Sequence, residues 1–462
     1  MLIDFRVART IRLTLPQKKT GMTDIRLLTL LLLFNFPCAL AVADDGWPQF
    51  RGPGGQGNAE QSRPPLTWDL EHEASWAVDV PGKGYSSPIV QGHRVWVTTA
   101  VEFKPTPEQT KRTLQASQLE PKDFARRQVS GRVSLRVFCY DFSNGERIYE
   151  SVVADVDSPE AIHVGNSYAS PTPVVEGNRL YVHFGVSGTA CLDAETGDVI
   201  WDRSLPVFYS VGAGSSPIVY QDLLILVCDG IDQQYVVALN RNTGKTVWKT
   251  DRPPKRSEDG QLQKAYSTPL VVRHEGQDQL IVPSAQWVVS YSPLTGKEIW
   301  RVDHGDGFST IPRPVYGNGL VYICTGYSRS QLLAIRIDGK GDVTNSHVAW
   351  RAGRQIPRNP SPLLAGELLF VISDNGICTC FDAITGKTHW QQRIGGNYSA
   401  SPVLANGHVF VLSHEGTITA IPASRERKEL KRSQATDELK ASPAIVNSSV
   451  ILRSGSKLYR VN

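Results

Sequence analysis

Short apolar runs separated by polar turns repeat along most of the chain, and each set of runs begins at a small residue followed by proline. In one copy, Pro173 leads into Val174-Val175, and further β-like runs follow at 179–184, 189–192 and 199–204. Alternating apolar and polar residues in runs of this length are typical of strands, and the Gly and Asn residues between them are typical of turns. The pattern therefore predicts four short antiparallel strands per copy.

The marker that opens each copy occurs eight times. Its prolines are Pro88, Pro173, Pro217, Pro269, Pro314, Pro362, Pro402 and Pro443. A spacing of about forty to fifty residues is typical of solenoids and propellers. A small sheet that is apolar on both faces can bury them only against its neighbours, so the chain is predicted to be an all-β, eight-bladed propeller.

A second motif, Asp-x-x-Thr-Gly-x-x-x-Trp, closes most copies. Its Asp and Thr can bond the backbone of a tight turn, its Gly tolerates positive φ, and its Trp is expected on the outer strand, filling the gap between blades. The glycines are Gly197, Gly244, Gly296 and Gly386, and the tryptophans are Trp76, Trp201, Trp248, Trp300, Trp350 and Trp390. Tyr149 takes the aromatic place in the first copy, and residues 425–430 have lost both Gly and Trp.

The last copy holds only three predicted strands, at 441–446, 450–453 and 457–461. The segment 74–78 carries Trp76 and is expected to supply the missing outer strand, which would close the ring and remove its open edges. The predicted organisation is a signal peptide at 1–43, an N-terminal arm at 44–73 and the propeller at 74–462, with an insertion at 102–132.

The leader combines basic residues, an apolar stretch at 27–36 and the small-residue sequence Ala41-Val42-Ala43. This favours a secretory signal cut after Ala43 over an uncleaved anchor, with Met22 as an alternative start. No stable membrane span is expected once the signal is removed. The leader holds six Lys or Arg and two Asp, which leaves 43 basic and 43 acidic residues in the mature chain. A broad cationic footprint for nucleic acid is therefore not expected.

The insertion in the first blade has a plausible helix start at 106–109 and is rich in basic residues. It is predicted to be either a basic lid over one mouth of the ring or a solvated excursion packed on the blade. Six cysteines follow the leader, and three of them, Cys139, Cys191 and Cys380, share a strand register with small residues such as Ala238. Buried free thiols are therefore favoured over disulfides.

The alternation of the two motifs resembles the PQQ-like repeat family, which includes quinoprotein alcohol dehydrogenases and the propeller lipoprotein of the β-barrel assembly machinery. The segments 47–53 and 163–173 resemble a subgroup of secreted bacterial propeller proteins of this family. The resemblance covers residues 47–462. It implies the fold and an exported, periplasmic or extracellular location, and it specifies function weakly, since a propeller hosts many unrelated tasks.

Polar residues near the starts and ends of the predicted strands are the candidates for a binding face, because loops that converge on a rigid scaffold often bind ligands. Each could instead form a turn or a bond between blades. The candidates are His163, Asn166, Tyr168, Asp229, Arg252, Arg313, Arg358, Asp374 and Asn375. No catalytic residue and no metal site is predicted.

Two functions of different class follow. The first is an exported, non-enzymatic scaffold that binds a protein, a peptide or a cell-envelope glycan and needs no cofactor. The alternative is an oxidoreductase that uses PQQ with Ca²⁺, or a metal, near His163, Asp229 and Asp374. The chain lacks the adjacent cysteines of quinoprotein dehydrogenases and is much shorter than they are, which favours the scaffold.

Overall fold

The computed structural model describes residues 46–117 and 119–462, in which eight small antiparallel sheets form an eight-bladed β-propeller. The predicted signal peptide, its cleavage after Ala43 and the alternative start at Met22 lie outside the described residues. Among the described helices, none is long and apolar enough to cross a bilayer.

Each blade runs from an inner strand at the central channel to an outer strand at the rim. From inner to outer, blades 1 to 4 are formed by Ile89–Gln91, Arg94–Phe103, Arg132–Asp141 and Arg147–Asp157; Val174–Glu176, Arg179–His183, Thr189–Asp193 and Val199–Arg203; Ile218–Tyr220, Leu223–Asp229, Gln234–Asn240 and Thr246–Asp251; and Leu270–His274, Gln277–Pro283, Trp287–Tyr291 and Glu298–Asp303. Blades 5 to 8 are formed by Val315–Gly317, Leu320–Cys324, Leu332–Arg336 and Val348–Ala352; Leu363–Ala365, Leu368–Ile372, Ile377–Asp382 and Thr388–Arg393; Val403–Ala405, His408–Leu412, Thr417–Pro422 and Lys431–Gln434; and Ala444–Val446, Ser449–Arg453, Lys457–Val461 and Ala74–Asp79.

Blade 8 closes the ring as the sequence predicts. The N-terminal strand Ala74–Asp79 pairs antiparallel with Lys457–Val461, so that both ends of the propeller share one sheet. Two other blades gain a short extra strand. Gly341–Asp342 pairs parallel with the outer strand of blade 4, and Asn58–Ala59 pairs parallel with the inner strand of blade 7.

The tryptophans of the repeat join one blade to the next. The Trp201 indole N–H donates to the Arg241 carbonyl in the turn of the following blade, at 2.9 Å, and the Trp201 ring packs on Gly244 of that turn. A Cβ at Gly244 would lie 2.7 Å from the ring, and this glycine also has a positive φ of 67°, so the turn requires glycine on both counts. Trp76, Trp248, Trp350 and Trp390 make the same kind of bond to the turn of the blade that follows each of them.

Four of these tryptophans face a small residue on the third strand of their own blade, whereas Trp76 lies opposite Arg460. Trp201 lies opposite Cys191, and Trp390 lies opposite Cys380, each beside a register shift in the pairing of the third and outer strands. The six cysteines of the described chain are free and buried, in agreement with the predicted small, buried position. Trp300 is the exception in its contacts, because its N–H donates to Gln279 Oε1 of its own blade, at 2.8 Å.

The insertion begins later and ends earlier than the sequence suggests. The second and third strands of blade 1 stay paired out to Phe103 and Arg132, so the excursion occupies 104–131. It contains the helix Pro107–Ala116, whose start agrees with the predicted position at 106–109, and Thr106 and Gln109 form a capping box there. The remaining helical segments of the described chain are short 3₁₀ turns at Pro53–Gly55, Pro121–Arg126, Gly185–Ser187 and Gly260–Leu262.

Candidate functional site

The inner strands of the eight blades surround a central channel, and one end of it holds a cavity of about 680 Å³. This volume falls in the range of pockets that bind small molecules. Two layers of side chains form most of its wall, and both are set by the proline marker. Successive residues of extended backbone point to opposite sides, so the residue before each proline and the residue two positions earlier both face the channel.

The residue directly before each proline forms the deeper layer, here called the hydroxyl layer. In six blade pairs the backbone N–H at this position in one blade donates to the side-chain hydroxyl at the same position in the next blade, over 2.8–3.1 Å. Seven of its eight members are hydroxyl residues: Ser87, Thr172, Ser216, Thr268, Ser361, Ser401 and Ser442. The repeated serine or threonine therefore links neighbouring blades around the channel.

The residue two positions earlier forms the mouth layer, and every member of it lines the cavity. In contrast with the hydroxyl layer, its chemistry changes from blade to blade, with aromatic, hydroxyl, amide, aliphatic and cationic side chains. Its members, from blade 1 to blade 8, are Tyr85, Ser170, Gly214, Tyr266, Ile311, Asn359, Ser399 and Lys440. A layer of this kind can contact a ligand differently on each side.

The N-terminal arm crosses the channel at the opposite side of the hydroxyl layer. Trp47 pairs with the inner strand of blade 1 at Val90, and the Gly57 carbonyl accepts from the Leu404 N–H in blade 7, at 2.8 Å. Between these points the arm also bonds the inner strands of blades 2 and 5. Phe50 of the arm lines the cavity, so the arm forms its floor. Trp47 of the arm is buried and anchors the arm at blade 1.

Arg313 is the blade 5 member of the hydroxyl layer and its only member without a hydroxyl. It holds the arm and does not line the cavity. Its guanidinium donates to the carbonyls of Pro269, at 3.1 Å, and Phe50, at 2.5 Å, and contacts Gln49 Oε1 at 3.3 Å. Burial lowers the pKa of Arg313 to about 9. Gly55 packs on this guanidinium so closely that a Cβ there would lie 2.3 Å from it.

A second buried arginine, Arg51, lies within the arm. Its guanidinium donates to the Gln56 carbonyl at 2.9 Å and reaches the Pro402 carbonyl of blade 7 at 3.4 Å. Burial, with a smaller contribution from Arg313, lowers the pKa of Arg51 to about 9. Neither arginine forms a salt bridge within the described residues, so backbone carbonyls supply most of their hydrogen bonds.

Two of the residues predicted from the sequence line the cavity. His163 is half-buried, and its Nδ1 accepts from the Gly165 N–H at 3.0 Å. Burial and the neighbouring Arg127 lower the pKa of His163. The Asn166 amide donates to the Val211 carbonyl at 2.8 Å and accepts from Ser170, so it fixes the loop between blades 1 and 2.

Three other predicted residues are placed in the interior of the blades. Tyr168 packs in the core between blades 1 and 2, and its hydroxyl donates to the Glu160 carbonyl at 2.8 Å. Asp229 and Arg252 form a buried ion pair, with 3.3 Å between Oδ1 and Nε and with both side chains at most 1% exposed. Burial raises the pKa of Asp229, while Arg252 opposes the change. The structure therefore does not bring these residues to the cavity.

The last three predicted residues lie near the cavity rim in supporting roles. The Asp374 carboxylate accepts from the backbone N–H groups of Arg358, at 2.8 Å, and Asn359, at 3.1 Å. It therefore positions Asn359, which does line the cavity. The Arg358 guanidinium lies over the ring of Tyr327, 5.2 Å from its centroid, and Asn375 accepts from Ser373 within a turn.

The remaining lining residues were not singled out in the sequence. They include the aromatic residues Tyr85, Tyr266, Phe308 and Tyr327 and the basic residues Lys264, His414 and Lys440. The sequence did contain a signal for the mouth layer, because its members stand at a fixed position, three residues before each marker proline. Lys264, Phe308, Tyr327 and His414 lie outside that register, and only the folded loops bring them to the cavity.

The lining does not fit the Ca²⁺ that accompanies PQQ in the alternative function. Calcium takes oxygen ligands and favours carboxylates. The polar side chains that line this cavity are hydroxyls, the amides of Asn166 and Asn359, and basic groups, with no carboxylate among them. The two carboxylates named in the alternative, Asp229 and Asp374, are engaged with Arg252 and with backbone N–H groups. Among the described residues, no cluster of three metal-ligating side chains occurs.

The fold and the cavity define the class of protein: an eight-bladed β-propeller of PQQ-like repeats whose central channel is crossed by its own N-terminal arm. The family model described as outer membrane protein assembly factor BamB matches residues 133–392 and 339–462. The chain belongs to this family.

Individual relatives are distant. The chain is 25% identical over 272 residues to tetrathionate hydrolase of Acidithiobacillus ferrooxidans, covering 54% of this chain and 50% of that protein. It is 25% identical over 205 residues to the outer membrane protein assembly factor BamB of Yersinia pestis, covering 40% of this chain and 49% of that protein. The chain thus matches about half the length of these relatives.

Solved structures share the fold at low sequence identity. The quinohemoprotein alcohol dehydrogenase of Comamonas testosteroni has a TM-score of 0.61 at 11% identity, covering 90% of this chain and 80% of that one. The BamB structure from Moraxella catarrhalis has a TM-score of 0.50 at 13% identity, covering 79% and 98%. At these identities the likeness concerns the fold alone.

Proposed function

We propose that the protein is an exported, non-enzymatic binding or assembly scaffold of the cell envelope and that the mouth of its channel is the binding surface. Membership of the BamB family supports the assembly role and the export to the envelope. The observation that carries the choice of surface is the contrast between the two layers of the channel wall. The hydroxyl layer repeats the same bond between blades, whereas the mouth layer presents six residue types among its eight members around an open cavity.

A rigid wall with varied side chains suits selective binding. The ring is closed by Ala74–Asp79, and the backbone around the mouth is fixed by bonds such as that from Asn166 to Val211. A partner would therefore meet aromatic and polar groups that are already in place, which lowers the entropy lost on binding. A protein segment, a peptide or an envelope glycan remain the partner classes proposed.

The test is capture of partners from cell envelopes by the mature protein, residues 44–462. Capture is compared between a mouth variant and a control variant. The double variant Tyr85→Ala/Tyr327→Ala removes two aromatic groups from the mouth. The matched control, Val247→Ala, alters an exposed aliphatic residue on the outer strand of blade 3, which is the strand of that blade farthest from the channel. We expect the mouth variant to lose specific capture and the control to keep it. Capture that survives in the mouth variant but is lost in Val247→Ala would contradict the proposal.

The oxidoreductase alternative makes a separate prediction. If PQQ were a resident cofactor, protein exported from cells supplied with PQQ and Ca²⁺ would carry a quinone absorbance and would reduce an artificial electron acceptor with an alcohol as donor. We expect a colourless protein without this activity. A stoichiometric quinone spectrum together with dye reduction would replace the scaffold proposal.

A further inference from the structure

Among the described residues, the ionisable side chains that line the cavity include four basic residues and no carboxylate. The basic residues are His163, Lys264, His414 and Lys440. Two of these basic residues already have partners. Lys440 lies 2.7 Å from Glu438, and His414 shares a hydrogen bond with Ser399 over 2.8 Å. The other two, His163 and Lys264, belong to one side of the cavity.

Lys264 is a buried cation without a carboxylate partner among the described residues. Lys264 is only 6% exposed, and its ammonium donates to the amide oxygen of Gln261. The backbone of Lys264 is held by the Ser309 N–H, at 2.8 Å. Burial and the nearby Arg127 lower the pKa of Lys264 to about 8. An unpaired cation in such a place costs free energy that a bound anion would offset.

The insertion of blade 1 brings a second cation to the same side. Its strand Arg127–Gln128 pairs antiparallel with Ile162–His163, and Arg127 stands opposite His163. The Val164 N–H donates to the Arg126 carbonyl at 3.0 Å, which fixes this contact. The Arg127 Nε and Nη1 atoms are buried and have no hydrogen-bond partner within the described structure. Arg127 itself does not line the cavity, so the insertion adds a positive charge beside the cavity, behind His163.

From these contacts we infer that Arg127, His163 and Lys264, here called the basic wall, hold the anionic group of a small organic ligand in the cavity. Lys264 and the His163 imidazole contact the anion, and the Arg127 guanidinium adds positive charge from beside the cavity. The anionic group is a carboxylate or a comparable oxyanion. Charge-assisted bonds from ammonium groups to such oxygens are among the strongest hydrogen bonds in proteins. Tyr266 and Phe308 line the same cavity and offer apolar surface to the rest of the ligand. This inference rests on the proposed function, since it takes the mouth as the binding surface.

The wall also explains the position of the insertion. The strand pair formed by Arg127–Gln128 places a segment of blade 1 against the loop that leads into blade 2. Of the two possibilities set by the sequence, a basic lid or a solvated excursion, the location beside His163 favours a part in the mouth. Arg127, which the insertion places opposite His163, has no hydrogen-bond partner for its Nε and Nη1 atoms among the described residues.

The experiment is isothermal titration calorimetry on the mature protein, residues 44–462, near pH 7 and at low salt. The probes are citrate, inorganic phosphate and, as a neutral control, maltose. We expect saturable binding of citrate or phosphate and none of maltose. Lys264→Met should weaken binding roughly tenfold or more, because it removes a charge-assisted bond. Arg127→Met should weaken binding by a smaller factor, because it removes a neighbouring positive charge. Lys245→Met, at an exposed turn position of blade 3, is the matched control and should bind like the unaltered protein.

Thermal unfolding of every variant shows whether it is folded before its binding is compared. The inference is overturned if neither anion binds, or if Lys264→Met and Arg127→Met bind as tightly as Lys245→Met. Maltose that binds while both anions do not would also overturn it, although the mouth would then still be a binding surface. Failure of the proposed function is a different result, namely partner capture that does not depend on Tyr85 and Tyr327.

Discussion

The hydroxyl layer and the mouth layer lie two residues apart in every blade, but residue type is nearly uniform in the first layer and varies from blade to blade in the second. The hydroxyl layer holds serine or threonine in seven of eight blades, and its hydroxyls form hydrogen bonds between neighbouring blades. The mouth layer holds six residue types in its eight positions and lines the cavity. The comparison shows that uniformity across the copies marks construction of the ring, and that variation beside a uniform position marks the surface available for function.

The largest expected effect concerns the one residue that breaks the uniformity of the hydroxyl layer. Arg313→Ala removes bonds to Pro269, Phe50 and Gln49 and leaves their oxygens unpaired below the cavity. We expect a loss of about 2–4 kcal/mol in the free energy of unfolding, together with faster proteolysis within residues 46–73. Chemical denaturation and limited proteolysis measure the two effects. Unchanged stability and an equally protected arm would show that Arg313 does not anchor the floor.

A smaller effect separates the two layers within one blade. Ser401→Ala removes the acceptor of the Ser361 N–H, a buried bond of 3.1 Å, whereas Ser399→Ala removes only a hydroxyl at the mouth that bonds His414. The first change should lower the free energy of unfolding by about 1–3 kcal/mol and the second by less than about 0.5 kcal/mol. Both are Ser→Ala changes, so the side-chain chemistry is matched. Equal losses in denaturant titrations would remove the distinction between the layers.

The smallest effect is a pH dependence of anion binding at the mouth. Burial lowers the pKa of Lys264 to about 8, so its charge is present below that pH and is lost as the pH rises through it. The ionisable groups that act on it are Arg127, which lowers its pKa, and Asp259 and Asp123, which raise it. Citrate or phosphate binding should therefore weaken between pH 7 and pH 9, whereas an ordinary lysine would keep its charge over this range.

Lys264→Arg supplies the control for this pH dependence. Arginine holds its proton well above pH 9, so the variant should keep its affinity for the anion across the same range. Calorimetric titrations at the two pH values provide the comparison. A variant that loses binding in parallel with the unaltered protein would assign the pH dependence to another group.

The eight blades, the closure by residues 74–78 and the roles of the Gly and Trp positions could all be predicted from the sequence. They depend on local turn chemistry and on a repeat long enough to show it, as the contact between Trp201 and Gly244 illustrates. The candidate site was less accessible. His163 and Asn166 do line the cavity, but Asp229 and Arg252 pair inside the blades.

The reason is geometric. A polar residue at the end of a strand can face the channel, the next blade or a turn, and one sequence does not distinguish these surroundings. Lys264 and Arg127 are distant in sequence and come together only because the strand Arg127–Gln128 pairs beside His163. The mouth layer was within reach, since Tyr85 and Lys440 occupy the same position relative to the marker proline in their blades.

The most direct test of the central claim, that the mouth is the working surface, is site-specific photo-crosslinking in cells. A photoreactive residue is placed either at Ser399 in the mouth layer or at Val247 on the outer strand of blade 3, which is 53% exposed. The account predicts a discrete crosslinked partner from position 399 and none from position 247. A partner crosslinked from position 247 and not from position 399 would contradict it.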